Sequence, residues 1–286
     1  MTALHIPLKN RPVYLQTDAR RLLIMVRGEP FLIYSYGNDR SPSVSALYAA
    51  DNRQVAGKPD GTEAITIGHG DVNGLSFIEG GHGAITTQEL VVRRGLYSAG
   101  FVHHLFWRDH NDVPILAESR RIRVMAGPCE GGILDITLRL TPLLESGVRF
   151  AASAHDILQI HLAAGLCGEL MGAMRDEHGR CGHHEVNGRI SRWVSVDGVI
   201  RGETVGLVVL DHPLNPFYPT TWHADRFGTL SPSPILWAGV EETLTRTIVL
   251  RYRLHTHFGY VEAGWSHARF LDFAAEPTNN NFGEQV

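Results

Sequence analysis

At 286 residues the chain is long enough for one large β-sandwich or barrel, which routinely runs to roughly 200–250 residues. Hydrophobic residues at 43% and charged residues at 20% exclude a disordered class. A net charge of -4 provides no basic surface for displacing counterions from phosphate, which argues against a nucleic-acid partner. No stretch reaches the ~18 apolar residues of a membrane span, which argues against a membrane partner.

Residues 1–10, MTALHIPLKN, are too interrupted for a signal peptide, which needs a basic start and an apolar run of about 7–15 residues. The expected location is the cytoplasm. Apolar, β-branched runs recur at 21–26, 31–36, 84–92, 99–108, 115–125, 133–141, 157–163, 190–196, 199–210 and 243–257. The 30 glycines and 14 prolines are spread between them as turn punctuation. This pattern predicts an all-β, two-sheet β-sandwich occupying 1–286 as a single domain. Val261, Gly264, Trp265, Ala268, Leu271 and Phe273 roughly follow helical spacing and predict a C-terminal α-helix at about 260–273. The polar, asparagine-rich tail from 276 is expected to fray. Cys129, Cys167 and Cys181 are odd in number and far apart, with no Cys-x-x-Cys pair, so they read as idle thiols of a reducing compartment.

The chain has 16 histidines, and their placement carries the functional reading. Across 155–163 the two-residue period puts His155, Gln159 and His161 on one side and Leu158, Ile160 and Leu162 on the other. Across 243–257 it puts Leu244, Ile248, Leu250, Tyr252 and Leu254 on the core side. Thr245, Thr247, Arg251, Arg253, His255 and His257 face away from it. A solvated outer face is the plain explanation of such a pattern, but lysine, glutamate and threonine usually fill one, so clustered histidine points to a concave binding face.

Three segments add polar loops. Gly68-His69-Gly70-Asp71-Val72-Asn73-Gly74 lacks the Gly-Lys-Ser/Thr ending of a phosphate loop. Trp107 is followed by Glu118, Arg120 and Arg121, where Glu118 is expected to pair with Arg120 or a neighbouring arginine rather than to serve as a second acid or base. The third segment, from Asp211 to Gly228, leaves a strand as a proline-stiffened loop with His212, Asn215, Trp222, His223 and Arg226. Such loops at strand ends hold polar groups and a stacking aromatic for a ligand. No Gly-x-Ser-x-Gly elbow occurs, and the glycine clusters are not followed by the helices of a dinucleotide fold.

On the Gly68–Gly74 loop, on Trp193 within Arg-Trp-Val-Ser-Val-Asp-Gly, on the 211–228 segment and on Leu250-Arg251-Tyr252-Arg253 leading to His257 and Gly259, the sequence resembles a bacterial family known as PmoA-like. The resemblance runs from about Ile65 to the C-terminal helix, and its most specific part is Asp-His-Pro-x-Asn followed by Trp-His. It implies a supersandwich like that of galactose mutarotase and a setting in sugar catabolism. Two departures imply an altered substrate or weakened activity. Gly61-Thr62-Glu63-Ala64-Ile65 stands where a His-rich run is common, and His155 and His161 stand where a Lys- and Arg-bearing strand is common.

Three functions follow as expectations. The first is a carbohydrate isomerase or lyase working by acid/base chemistry, with no cofactor. In it His69, His212, His223 and His257 supply base and acid, and Arg251 stabilises an oxyanion. Asp71, Asn73, Asn215, Arg253, His155 and His161 bond hydroxyls, and Trp193 or Trp222 stacks on the sugar. The second is a non-catalytic carbohydrate-binding protein with the same face. The third is a metalloenzyme holding a divalent metal on His161, His255 and His257. For each histidine taken singly the competing role is a structural hydrogen bond that pins a loop. Exposed sheet edges are compatible with a homodimer.

Overall fold

A computed structural model of the protein describes residues 12–37, 41–58, 63–78, 81–153, 155–167, 172–233 and 242–277. Two large antiparallel sheets are stacked face to face. The first has ten strands in the order Val13–Thr17, Arg21–Val26, Glu29–Ser35, Ser43–Ala49, Ile65–Ile67, Leu158–His161, Thr229–Pro232, Thr221–Ala224 and Arg189–Ile190, with Arg53–Ala56 added beside Ser43–Ala49. The second has eight: Gly172–Asp176, Trp193–Ile200, Glu203–Asp211, Ile248–Phe258, Gly132–Pro142, Pro114–Ala126, Ser98–Arg108 and Ala84–Arg94. Val148–Phe150 and Glu242–Leu244 form a separate pair. The chain is thus an all-β sandwich with a C-terminal helix.

Alternation builds the core. In Gly132–Pro142, Leu134, Ile136, Leu138 and Leu140 are buried, while Ile133, Asp135, Thr137 and Arg139 face out. Opposite them the first sheet contributes Leu22, Ile24, Leu32, Leu47, Ile65, Leu158, Ile160 and Leu230 to the same cluster. Turns set the register. Arg201 and Gly202 both have positive φ, 53° and 81°, the conformation a two-residue hairpin needs to match strand twist. The run read as one strand over 199–210 is therefore cut by this turn, and Val199 and Ile200 belong to the preceding strand. The run at 243–257 is likewise divided, because Glu242–Leu244 pairs with Val148–Phe150 and only Ile248–Phe258 enters the second sheet.

One polar network crosses the core. Arg120 Nε donates to Glu118 Oε1 at 2.7 Å, and both side chains are fully buried. The indole of Trp107 donates to the other carboxylate oxygen at 2.8 Å. Arg120 also donates to Tyr34 Oη at 3.3 Å. Guanidinium is only a donor, so the Tyr34 hydrogen is left for His103 Nδ1, 2.8 Å away. The neutral His103 ring then carries its hydrogen on Nε2, 3.0 Å from Thr87 Oγ1.

The C-terminal helix spans Ala263–Ala275, starting later than expected because Gly259 has φ of 76° and the residues after it stay out of the helix. Its buried residues are Ser266, Phe270 and Phe273, whereas Leu271, read as part of the apolar face, is exposed. It packs Phe270 and Phe273 on Trp193, Val208 and Leu210, on the outer face of the second sheet. Glu276 is held by Arg253 and Arg123, so the chain is still pinned where fraying was expected to begin. Residues 278–286 of that tail lie outside the described residues. Among the described residues no helix is long and apolar enough to cross a membrane.

Candidate functional site

The outer face of the first sheet carries a cleft of about 1290 Å³. Its floor comes from the positions that alternate with the core: Ser35, Ser43, Ser45, Thr66, Gln159 and His161. Register explains the juxtaposition. Gln159 lies opposite Thr66 on one side, and His161 lies opposite Thr229 on the other. The walls carry Tyr36, Tyr48, Phe77, Arg20 and Arg21. Lys58 and Glu63 close one end and are ion-paired at 2.5 Å. Thr87, which receives the hydrogen bond of His103, also lines the cleft, so the buried Arg120–Tyr34–His103 chain ends there.

Two histidines chosen from the sequence, His155 and His161, line this cleft. Burial, and then the nearby Lys58 charge, hold His161 below the ordinary imidazole value, so it stands as a neutral base at neutral pH. His223 lies on the same sheet, its Nε2 3.9 Å from Asp225 Oδ2. Burial depresses it too, with a further push from His155. His69 is fully buried against Phe150, and burial pushes it down to about 4. Its Nδ1 accepts from Asp71 N, while Nε2 has no hydrogen-bond partner among the described residues.

The other sequence candidates lie elsewhere. The face bearing Arg251, Arg253, His255 and His257 belongs to the second sheet, so the two His-rich strands line opposite outer faces of the sandwich and do not share one concave site. Arg253 is clamped by Asp135 at 2.6 Å and Glu276 at 2.5 Å, with its side chain 3% exposed and its guanidinium committed to ion pairs. His255 and His257 are covered by Trp265 of the helix. Trp193 is buried beneath the same helix, and Trp222 is buried in the core with its indole N–H on Ser191 O at 2.8 Å. Neither offers a face for a sugar to stack on.

The loop candidates hold turns. Asp71 Oδ1 accepts from Gly74 N at 2.9 Å, and the Asn73 side chain accepts from Arg149 N at 2.8 Å. Asn215 acts as a peptide surrogate, since its amide donates to Arg251 O and accepts from Arg251 N, both at 2.7 Å. It thereby extends the sheet where Glu203–Asp211 ends. It also donates to Asp211, whose carboxyl burial raises to about 7. His212 accepts from Leu214 N and rests edge-on against Phe273.

His161 lies on one sheet and His255 and His257 on the other, so the expected metal trio is not assembled. Among the described residues no three His, Cys, Asp or Glu side chains come together as a metal-binding group. Sequence reasoning missed Ser35, Ser43, Ser45 and Thr66. The available signal was a small hydroxyl at every second position of 43–45, flanked by residues that belong in a core. Chemically, the cleft combines hydroxyl and amide groups for bonding polyols, aromatic walls, a neutral imidazole and an ammonium.

The chain belongs to DUF6807, a family of unknown function whose model matches residues 21–268. No curated protein matches the sequence.

Proposed function

We propose that this member of DUF6807 is a cytoplasmic carbohydrate-handling enzyme, an isomerase or lyase, with its site in the cleft of the first sheet. The observation that carries the reading is the floor of that cleft. Hydroxyl and amide groups from four neighbouring strands run toward His161, with Lys58 and Glu63 beside it. Uncharged hydrogen-bonding groups flanked by aromatic walls suit a polyol better than an ionic or apolar ligand. The volume exceeds the roughly 300–1,000 Å³ common for small-molecule pockets, which favours a sugar conjugate or short oligosaccharide over a lone monosaccharide.

In this reading His161 removes a proton next to a carbonyl or from an anomeric hydroxyl, as a base whose proton affinity is lowered by burial. Lys58 stabilises the oxyanion that develops, and the hydroxyl floor orients the ring. Arg251, proposed from sequence for the oxyanion, is on the opposite face and takes no part.

The test is proton NMR of the protein incubated in D2O with a panel of sugars, keto-sugars and short oligosaccharides. Wild type is compared with His161→Gln and with His104→Gln, a change at an exposed histidine of the second sheet. Deuterium uptake, faster anomer exchange or loss of a leaving group, abolished in His161→Gln and kept in His104→Gln, is the expected outcome. Sugar binding without any spectral conversion would instead leave a carbohydrate-binding protein.

A further inference from the structure

On the outer face of the second sheet, charge is unevenly matched. Asp135 lies between Arg123 and Arg253 on the neighbouring strands, and both guanidiniums bind it. Glu276 completes that row by pairing with the same two arginines. One step along the strands, Thr137 lies between Arg121 and Arg251 in the same register, so a hydroxyl stands where the neighbouring row has a carboxylate. No carboxylate of the described residues forms an ion pair with the half-buried Arg251. Burial lowers its proton affinity, with no offsetting acid.

His212 stands over this row. Its Nδ1 accepts from Leu214 N at 3.1 Å, so the neutral ring carries its hydrogen on Nε2 and is a donor there. Burial and the charges of Arg251 and Arg253 push it down to about 4, which keeps it neutral at physiological pH. Arg121, Thr137, His212 and Arg251 line a cavity of about 100 Å³, on a different face from the cleft. Asp135 and Glu276 reach the same cavity, but their charge is taken up by Arg123 and Arg253. The paired bonds between Asn215 and the Arg251 backbone fix the loop carrying His212 against the strand carrying Arg251.

We propose that this cavity binds a small phosphate-class oxyanion, with Arg251 as the charge partner and Thr137 and His212 as neutral donors. Guanidinium matches two oxygens of such an ion in one plane, and the half-buried setting keeps salt from screening the pair. The inference does not depend on the carbohydrate reading of the cleft.

The experiment is calorimetric titration of the full chain at low ionic strength with inorganic phosphate and, in a second arm, glucose 6-phosphate. Saturable binding is expected for at least one of them. Arg251→Gln should weaken it at least about tenfold, the scale of a lost charge-assisted bond. Arg94→Gln, at an exposed arginine that lines neither cavity, should change it less than about twofold. Bound anion should also raise the His212 pKa, read from its imidazole proton shifts. Tighter binding of the sugar phosphate that is weakened by Arg251→Gln would identify a phosphoester as the ligand, and equal binding would identify the free ion. No saturable binding in either arm, or binding unchanged in a folded Arg251→Gln protein, overturns the proposal.

Discussion

At His257, Nδ1 lies 2.9 Å from Gly259 O, which can only accept, so Nδ1 carries a hydrogen. In the neutral ring Nε2 is then bare, yet it faces Asp197 Oδ1 at 3.4 Å. Burial lowers the imidazole and raises the carboxyl, and each group's charge partly offsets the shift of the other, while Arg175 pairs with the other carboxylate oxygen at 2.9 Å. Gly206 makes the approach possible. A Cβ there would come 2.4 Å from His257 Nε2 and 2.5 Å from Val196 O. Gly206→Ala should therefore cost about 1–3 kcal/mol of stability, measured as a lower denaturant midpoint at unchanged slope. The sequence marked His257 as special, but it could not distinguish a histidine set against a carboxylate beneath a helix from one that offers a proton to a substrate. The same holds for Asn215, whose amide carries the donor and acceptor of a peptide bond and serves as one.

Among the elements, the C-terminal helix depends on charge as much as on its phenylalanines. Arg253 is buried beneath its end and has two partners, Asp135 at 14% and Glu276 at 34% exposure. Removing the more buried acid leaves a desolvated guanidinium without its closest partner. Asp135→Asn should cost about 3 kcal/mol, whereas Glu276→Gln should cost about 1 kcal/mol or less. Thermal melts of the two variants check the ranking, and equal losses would show that the clamp does not work this way. The helix itself was legible from its spacing, but its buried face was not. Ser266 is fully buried there, and hydropathy does not assign a serine to a core. Long alternating strands such as Gly132–Pro142 were read nearly to their ends. The breaks near Arg201–Gly202 and between Leu244 and Ile248 were not, because the polar stretches there are short and flanked on both sides by apolar residues.

At the scale of the whole molecule, the histidines divide between two outer faces. Alternation tells which side of a strand a residue occupies, but it does not tell which sheet the strand joins. Leu158–His161 lies between Ile65–Ile67 and Thr229–Pro232, partners about 70 to 90 positions away along the chain. Nothing local in the sequence specifies that neighbourhood, and so the cleft was not visible in it. Burial of so many imidazoles does have a collective consequence. His69 and His212 are pushed down to about 4, and His103 and His255 to about 3. Each is neutral in the folded chain and takes up a proton on unfolding below about 6.5. Their stabilisation is complete above that pH and declines as pH falls toward 4. Asp211, raised to about 7, acts in the opposite sense, contributing stability that is lost as pH rises from about 4 to 7. These four imidazoles, with His161 and His223 lowered in the same sense, outweigh the raised carboxyls of Asp211 and Asp197, so the melting temperature should fall steadily from pH 6.5 to 4. A melting temperature that stays flat across that range would contradict the buried, neutral assignment.

In the function we propose, the cleft of the first sheet, and not the histidine face of the second, receives carbohydrate. Saturation-transfer NMR with the same sugar panel tests it most directly, comparing wild type with Ser45→Tyr. That substitution fills the floor of the cleft from a position whose side chain points away from the core. Transfer to at least one sugar is expected in the wild-type protein, and its loss in a Ser45→Tyr protein that still melts cooperatively. Transfer that persists undiminished in the filled cleft, or no transfer to any sugar from wild type, would contradict it.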